Sequence, residues 1–356
     1  MKIMIDIGHP AHVHYFRNFI KIMEGKGHKF LITARDKEVT QYLLQVYNLN
    51  YINRGTGRKG IFGKFLYIIE GNYILLKSAL KFKPDLFLSF SSPYAAQVSW
   101  LLGKPHIAFD DTEHAKYEHL MYVPFTDAIL TPDCFLKDFG NKHLTFAGYM
   151  ELSYLHPNRF MPDKSVLKQI GIKENEKYVI IRLVSWNASH DWGYKGMDKG
   201  LIYSIIDELA PYAKIFISSE GNMPENLIKY KLNIPPEKLH DLLAFASLYI
   251  GEGATTASEC IMMGVPAIYV NKLDAGTLQD QIKYGLIINK FNENEITNIA
   301  KSILSDKSIK EKYNKYKSML YEEKIDVTTF MEWFVENYPE SFKILKKNPN
   351  YQYNFK

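Results

Sequence analysis

Residues Leu239 to Val270 read LHDLLAFASLYIGEGATTASECIMMGVPAIYV. Ser247–Ile250 reads as a short buried strand, Gly251-Glu-Gly-Ala254 as a turn, and Thr255–Met263 as a helix closed by Gly264, after which Val265-Pro266 opens another strand. Glycines let backbone approach a ligand closely. The free N–H groups of a first helical turn, at the positive end of the helix dipole, suit a diphosphate. Glu259 lies about one turn in, where a carboxylate can accept hydrogen bonds from ribose hydroxyls. A purely local motif fits the same letters: Thr256-Ala-Ser-Glu259 is an S/T-x-x-E capping box, in which the glutamate only satisfies an orphan amide. Pattern alone leaves both readings open.

The order of strand, glycine-rich turn, Thr/Ser-rich helix start, Glu259 and Gly264-Val-Pro-Ala267 resembles the donor half of GT-B glycosyltransferases and non-hydrolysing UDP-GlcNAc 2-epimerases. It is especially similar to the N-acetylglucosaminyltransferase that forms lipid II in peptidoglycan synthesis. Leu239–Ser247 also resembles that family's short helix leading into the strand. Along its whole length the chain resembles a GT-B-like family known only as a domain of unknown function. The resemblance implies two Rossmann-like, doubly wound α/β domains facing a central cleft. It places the donor ribose on Glu259 and the phosphates on Gly253, Ala254, Thr255, Thr256 and Ser258. It also places the donor sugar near Gln279, in Gln279-Asp-Gln281, a stretch that fits a solvated helix start equally well.

Composition agrees with two ordinary cores: 356 residues, 46% hydrophobic and 23% charged. No run approaches the ~18–20 apolar residues of a membrane-spanning helix, and Met1-Lys-Ile-Met-Ile-Asp enters a strand directly without signal-peptide architecture, so a cytoplasmic protein is expected. Cys134 and Cys260 supply neither a disulfide framework nor a metal cluster. A net charge of +5 argues against a dedicated nucleic-acid protein and is compatible with an anionic lipid surface. Strands are expected at 3–7, 29–34, 85–89, 106–109 and 128–131, and again at 178–184, 214–218, 248–251 and 267–270, with helices between several of them. Alternation of this kind implies parallel sheets. The expected domains are 1–155 on the acceptor side and 156–326 for the nucleotide-sugar. Residues 327–356 are left as a helix that returns to the first domain and a tail, unstructured or partner-bound from Lys346.

Catalytic candidates sit where expected strands end, because open α/β sheets bind ligands at the carboxyl ends of their strands. Gly8-His9-Pro10-Ala11-His12-Val13-His14 follows the first strand and carries three histidines expected to face the cleft. Imidazole titrates near neutrality and suits deprotonation of a sugar hydroxyl. His12-Val13 matches the Gly-His-Val of the lipid II-forming family, with Ala11 in place of its glycine, so the resemblance makes His12 the base and leaves His9 and His14 as substrate contacts. A structural histidine beneath the helix is the alternative. Phe109-Asp110-Asp111-Thr112-Glu113 closes another strand; Asp110 and Asp111 are alternative bases and Glu113 an acceptor contact, unless these residues only cap a helix. Asp111-x-Glu113 superficially resembles a metal-binding D-x-D, but GT-B enzymes generally bind the diphosphate without metal, so no metal and no cofactor is expected. Arg182, in an apolar strand, is a phosphate fork or one half of a buried salt bridge; Ser185 and Gly221 line the loops that follow.

The segment Arg58–Lys83 interleaves aromatics with lysines, as in a surface that touches a membrane or a lipid-linked acceptor, or in a helix covering the first sheet with snorkelling lysines. The combined expectation is transfer of a sugar from an NDP-sugar, with UDP-sugar as the favoured donor, to a hydroxyl of a glycan or lipid-linked acceptor, in the cytoplasm or at the inner face of the membrane. A UDP-GlcNAc 2-epimerase is the alternative enzyme, although the N-terminal turn lacks the Gly-Thr-Arg-Pro-Glu typical of that family. A non-catalytic nucleotide-sugar-binding subunit is the alternative from outside enzymology.

Overall fold

Twelve strands form two wholly parallel sheets in a computed structural model that describes residues 1–356 apart from 59, 174, 184–196, 198, 220–222, 272–274, 285–286 and 290–291. Strands β1 (Lys2–Ile7), β2 (Lys29–Asp36), β3 (Tyr51–Thr56), β4 (Leu86–Phe90), β5 (His106–Phe109), β6 (Ala128–Pro132) and β7 (His143–Phe146) lie in the order β3-β2-β1-β4-β5-β6-β7. Strands β8 (Tyr178–Leu183), β9 (Lys214–Ser219), β10 (Leu248–Gly251), β11 (Ala267–Tyr269) and β12 (Ile287–Asn289) lie in the order β12-β11-β10-β8-β9. All nine expected strands are present. The three additional ones, β3, β7 and β12, are edge strands. They escape sequence reading because β3 carries Arg54 and Gly55 within six residues, while β7 and β12 have only four and three.

The chain divides into two units: Met1–Arg159 with Lys324–Lys356, and Phe160–Glu323. Residues 156–159 and 324–326, expected in the second domain, therefore belong to the first. Arg159 donates Nε to Asp326 Oδ2 at 2.9 Å and Nη2 to Thr329 Oγ1 at 2.6 Å, and Asp326 in turn caps the helix Val327–Glu336 through the amides of Thr328 and Thr329. That returning helix packs in the first unit, where Thr328 Oγ1 donates to the Ser153 carbonyl. The expected loose tail is instead ordered. Glu340–Lys347 is a helix and Pro349–Phe355 a 3-10 turn; buried Gln352 accepts from the Ala147 amide at 2.6 Å, and Trp333 stacks on Tyr351 at 4.9 Å.

The helix Ile61–Phe82 covers the first sheet, with Leu75 and Ala79 in a cluster with Met4, Phe87, Ala95 and Val98. Its outward face shows Ile69, Tyr73 and Leu80. Among the described residues no helix is long and apolar enough to cross a membrane.

Candidate functional site

Strand order fixes where each sheet can hold a ligand. In the second unit the order reverses between β8 and β10, and the crevice outside the carboxyl ends at such a switch point is where doubly wound sheets bind. β10 runs through Gly251-Glu252-Gly253 into the helix Ala254–Met262 at that place. Gly251 is required there: a Cβ would lie 2.3 Å from the Tyr249 hydroxyl. Gly253 is the N-cap, with extended backbone and, among the described residues, no side-chain cap hydrogen bond. Thr255 is exposed beside those amides and Thr256 is buried.

This geometry disposes of the capping box. Glu259 lies six residues beyond the N-cap, not three. Its carboxylate Oε1 is 2.8 Å from Nε2 of His240, on the helix Leu239–Leu243, with both groups buried. Ser258, expected among the phosphate contacts, donates its hydroxyl to Gln281 Oε1 at 2.8 Å and so braces the helix Gly276–Lys283. Gln279 is exposed on that helix. Arg182 is half-buried near the end of β8 and donates Nη1 to Ser218 Oγ at 3.0 Å, which holds the guanidinium at the carboxyl edge. Cys260 is a core residue: burial, then the nearby Glu259 charge, push its thiol up and keep it protonated. Ser185 and Gly221 lie outside the described residues.

In the first unit the reversal falls between β1 and β4. The loops there lead into helices that carry side-chain caps. His9 is the N-cap of Pro10–Gly25 and its Nδ1 accepts from the Ala11 amide at 3.2 Å, while Ser92 Oγ accepts from the Ala95 amide at the start of Pro93–Leu101. Both helix starts carry a side-chain cap that a glycine N-cap cannot supply.

The three histidines separate. His14 is buried between Tyr47 and Tyr154, so the expectation that it faces a cleft is corrected: it lies on the packed side of its helix. His9 caps. His12 packs on Phe90, ring centroids 4.7 Å apart, and its Nδ1 accepts from the Gly8 amide at 3.3 Å. That contact selects the tautomer with the proton on Nε2. Burial, followed by the positive charges of His9, Lys37 and Arg54, holds its pKa well below the usual histidine range. His12 is thus a neutral N–H donor through Nε2, and a weak base.

The two aspartates after β5 separate as well. Asp110 is buried and takes three donors: the Thr112 amide at 2.9 Å, His119 Nε2 at 3.0 Å and the Tyr122 hydroxyl at 2.7 Å. It organises the loop. Asp111 is only partly covered, accepts from Thr112 Oγ1 at 3.1 Å, and has its pKa raised to about 7, first by desolvation and then by Asp110 and Glu113. Glu113 is buried and accepts from the Leu136 amide at 3.4 Å, which ties the loop to the segment after β6.

One constellation was not anticipated from sequence. Asp6, in β1, is buried and accepts from Thr33 Oγ1 at 2.8 Å, Arg54 Nε at 3.0 Å, Arg54 Nη2 at 3.2 Å and Ser92 Oγ at 2.5 Å. Arg54 also donates to the Tyr67 hydroxyl and lies 4.0 Å from the Tyr94 ring centre. The available signal was a lone acid in an otherwise apolar strand, KIMIDI, since a buried charge requires a partner.

A family model described as "Protein of unknown function (DUF354)" matches residues 1–330. The chain belongs to that family. An uncharacterized protein of Methanocaldococcus jannaschii, MJ0665, is 25% identical over 280 residues, covering 75% of this chain and 81% of its own length. Among solved structures, the UDP-GlcNAc 2-epimerase of Neisseria meningitidis bound to UDP-GlcNAc aligns with a TM-score of 0.65 at 12% identity, over 95% of this chain and all of that one. A spinosyn rhamnosyltransferase in complex with spinosyn aglycone aligns with a TM-score of 0.63 at 14% identity over the same shares. At such identities the likeness is one of fold: two Rossmann-like units of the GT-B kind, shared by glycosyltransferases and UDP-GlcNAc 2-epimerases.

Proposed function

We propose that this DUF354 member is a glycosyltransferase that takes a sugar from a UDP-sugar and delivers it to an acceptor hydroxyl. The observation that carries the reading is the turn after β10. It lies at the switch point of the second sheet, its N-cap is a glycine with no side-chain cap hydrogen bond among the described residues, and Glu259 stands one and a half turns further on, held by His240. Amides aimed at a diphosphate stabilise the charge that develops on the leaving group as the glycosidic bond to phosphate breaks. Glu259 takes the ribose hydroxyls, Thr255 and Thr256 flank the phosphates, and Arg182 is the nearest guanidinium on the edge of the same sheet.

The acceptor half lies in the first unit, and we assign the proton to Asp111 rather than His12. A carboxylate that titrates near neutrality is ionised often enough to accept a proton and basic enough to hold it in the transition state. His12, with Nδ1 engaged by the Gly8 amide, offers Nε2–H as a hydrogen-bond donor to an acceptor oxygen. Binding of UDP, UDP-GlcNAc, dTDP and GDP by calorimetry tests the donor half. Turnover of the tightest-binding nucleotide sugar, with product analysis, separates transfer to a hydroxyl from 2-epimerisation. Absence of binding by any nucleoside diphosphate refutes the proposal, and a 2-epimer as sole product replaces it by the epimerase reading.

A further inference from the structure

The carboxyl edge of β2 and β3 carries a concentration of cations that donor binding and proton removal do not use. Pairing between the two strands jumps from Ala34↔Asn53 to Asp36↔Thr56, so Arg54 and Gly55 bulge opposite the single residue Arg35. Gly55 takes φ +80°, the left-handed conformation such a bulge calls for. A bulge re-aims side chains, and here it brings two guanidinium groups to one tyrosine: the Arg35 and Arg54 carbons each lie 5.6 Å from the Tyr67 ring centre. Only one of the two is neutralised. Arg54 is gripped by Asp6, whereas Arg35 has no hydrogen bond or ion pair among the described residues, and its Nε is buried. Lys37, at 3.4 Å from Glu38, adds its charge to the field that depresses His12. Gly57 abuts the Arg35 guanidinium, where a Cβ would be 2.0 Å from Nη2. A cavity of about 540 Å3 opens on Arg54 and Tyr67 and is lined further by Tyr73 and by the Arg58–Glu70 ion pair.

We propose that Arg35 anchors an anion subsite of the first unit that binds a phosphoryl group carried by the acceptor, with the cavity beside Tyr67 holding the organic part. This rests on the acceptor assignment above. A guanidinium with a buried, unpartnered Nε is a fork awaiting a planar or tetrahedral oxyanion, and a phosphate presents two oxygens to it at once. A neutral acceptor leaves the cost of covering that cation unrecovered. Arg35, the guanidinium of the two that no carboxylate neutralises, attracts a doubly charged phosphate monoester more strongly than a singly charged carboxylate.

The test is a phosphorus NMR titration of the full chain with a hexose 6-phosphate, using wild type, Arg35→Gln and Gly57→Ala. The second variant keeps the charge but drives the guanidinium from its seat. Both are expected to weaken hexose phosphate at least tenfold while the Kd for UDP stays at its wild-type value. Unchanged hexose phosphate affinity in both variants overturns the subsite, and glucuronate bound as tightly as hexose phosphate overturns the phosphoryl assignment. Vesicles containing phosphatidate distinguish the source: Arg35-dependent binding to vesicles without binding of the soluble ester assigns the phosphate to a lipid, and the converse assigns it to a soluble acceptor. Loss of hexose phosphate binding on Arg35→Gln in a protein that does not bind UDP keeps the subsite and sinks the donor reading instead.

Discussion

Replacing Glu259 by glutamine isolates the ribose role from every structural one. The carboxylate pairs with His240 Nε2 at 2.8 Å in a buried site, and it does not cap its helix, whose N-cap is Gly253. Glutamine has the same shape and can still meet His240, so the stability lost is that of exchanging a charged hydrogen bond for a neutral one, about 1 kcal/mol. Two vicinal ribose hydroxyls donating to a carboxylate are another matter. Hydrogen bonds to a charged acceptor contribute roughly 1.5–3 kcal/mol, and at 1.4 kcal/mol per factor of ten the loss is about 10- to 100-fold in Kd. Calorimetric titration with UDP, beside a thermal melt of the unliganded protein, reads both quantities. Glu259→Gln with the wild-type Kd for UDP refutes the ribose assignment, whatever the melt shows.

Asp111→Asn is expected to reduce turnover by roughly 10²–10⁴-fold with UDP affinity unchanged, whereas His12→Ala, which removes a donor rather than the base, costs less than tenfold; the opposite ranking in steady-state kinetics returns the base to His12. Because the folded pKa of Asp111 is raised to about 7 from an ordinary 3.8, the protonated carboxyl favours the folded state below pH 4 and that advantage is lost as pH rises to 7, while kcat/KM climbs over the same upper limb. Melting curves of wild type should therefore fall relative to Asp111→Asn between pH 4 and 8, and parallel curves contradict the shift. Asp6→Ala leaves Arg54 buried without its carboxylate, a loss of about 3–5 kcal/mol and roughly 10 °C in the melting of the first unit by scanning calorimetry; a change under 2 °C shows that the pair is solvated. EDTA is expected to leave UDP binding and turnover intact, and inactivation reversed by Mg²⁺ or Mn²⁺ promotes Asp111 and Glu113 to metal ligands.

What the amino-acid sequence determined by itself was local: the strands, the glycine turn after Ile250 and the helix at Ala254. Periodicity and glycine placement act within about ten residues, and the expected helix Thr255–Met263 lies one residue from the observed Ala254–Met262 at each end. The edge strands β3, β7 and β12 were invisible because short or interrupted strands owe their form to a neighbour's backbone. Site chemistry depended on contacts distant in sequence. That Glu259 does not cap its helix was decided by where the helix begins, and its carboxylate is buried against His240; Asp110 and Asp111 are adjacent letters, told apart only because His119 and Tyr122 close on the first. Asp6, Thr33, Arg54 and Ser92 carry no common motif. They meet because parallel strands β1, β2, β3 and β4 stack side by side, and because desolvation forces each buried charge toward whichever partner the tertiary packing brings within reach.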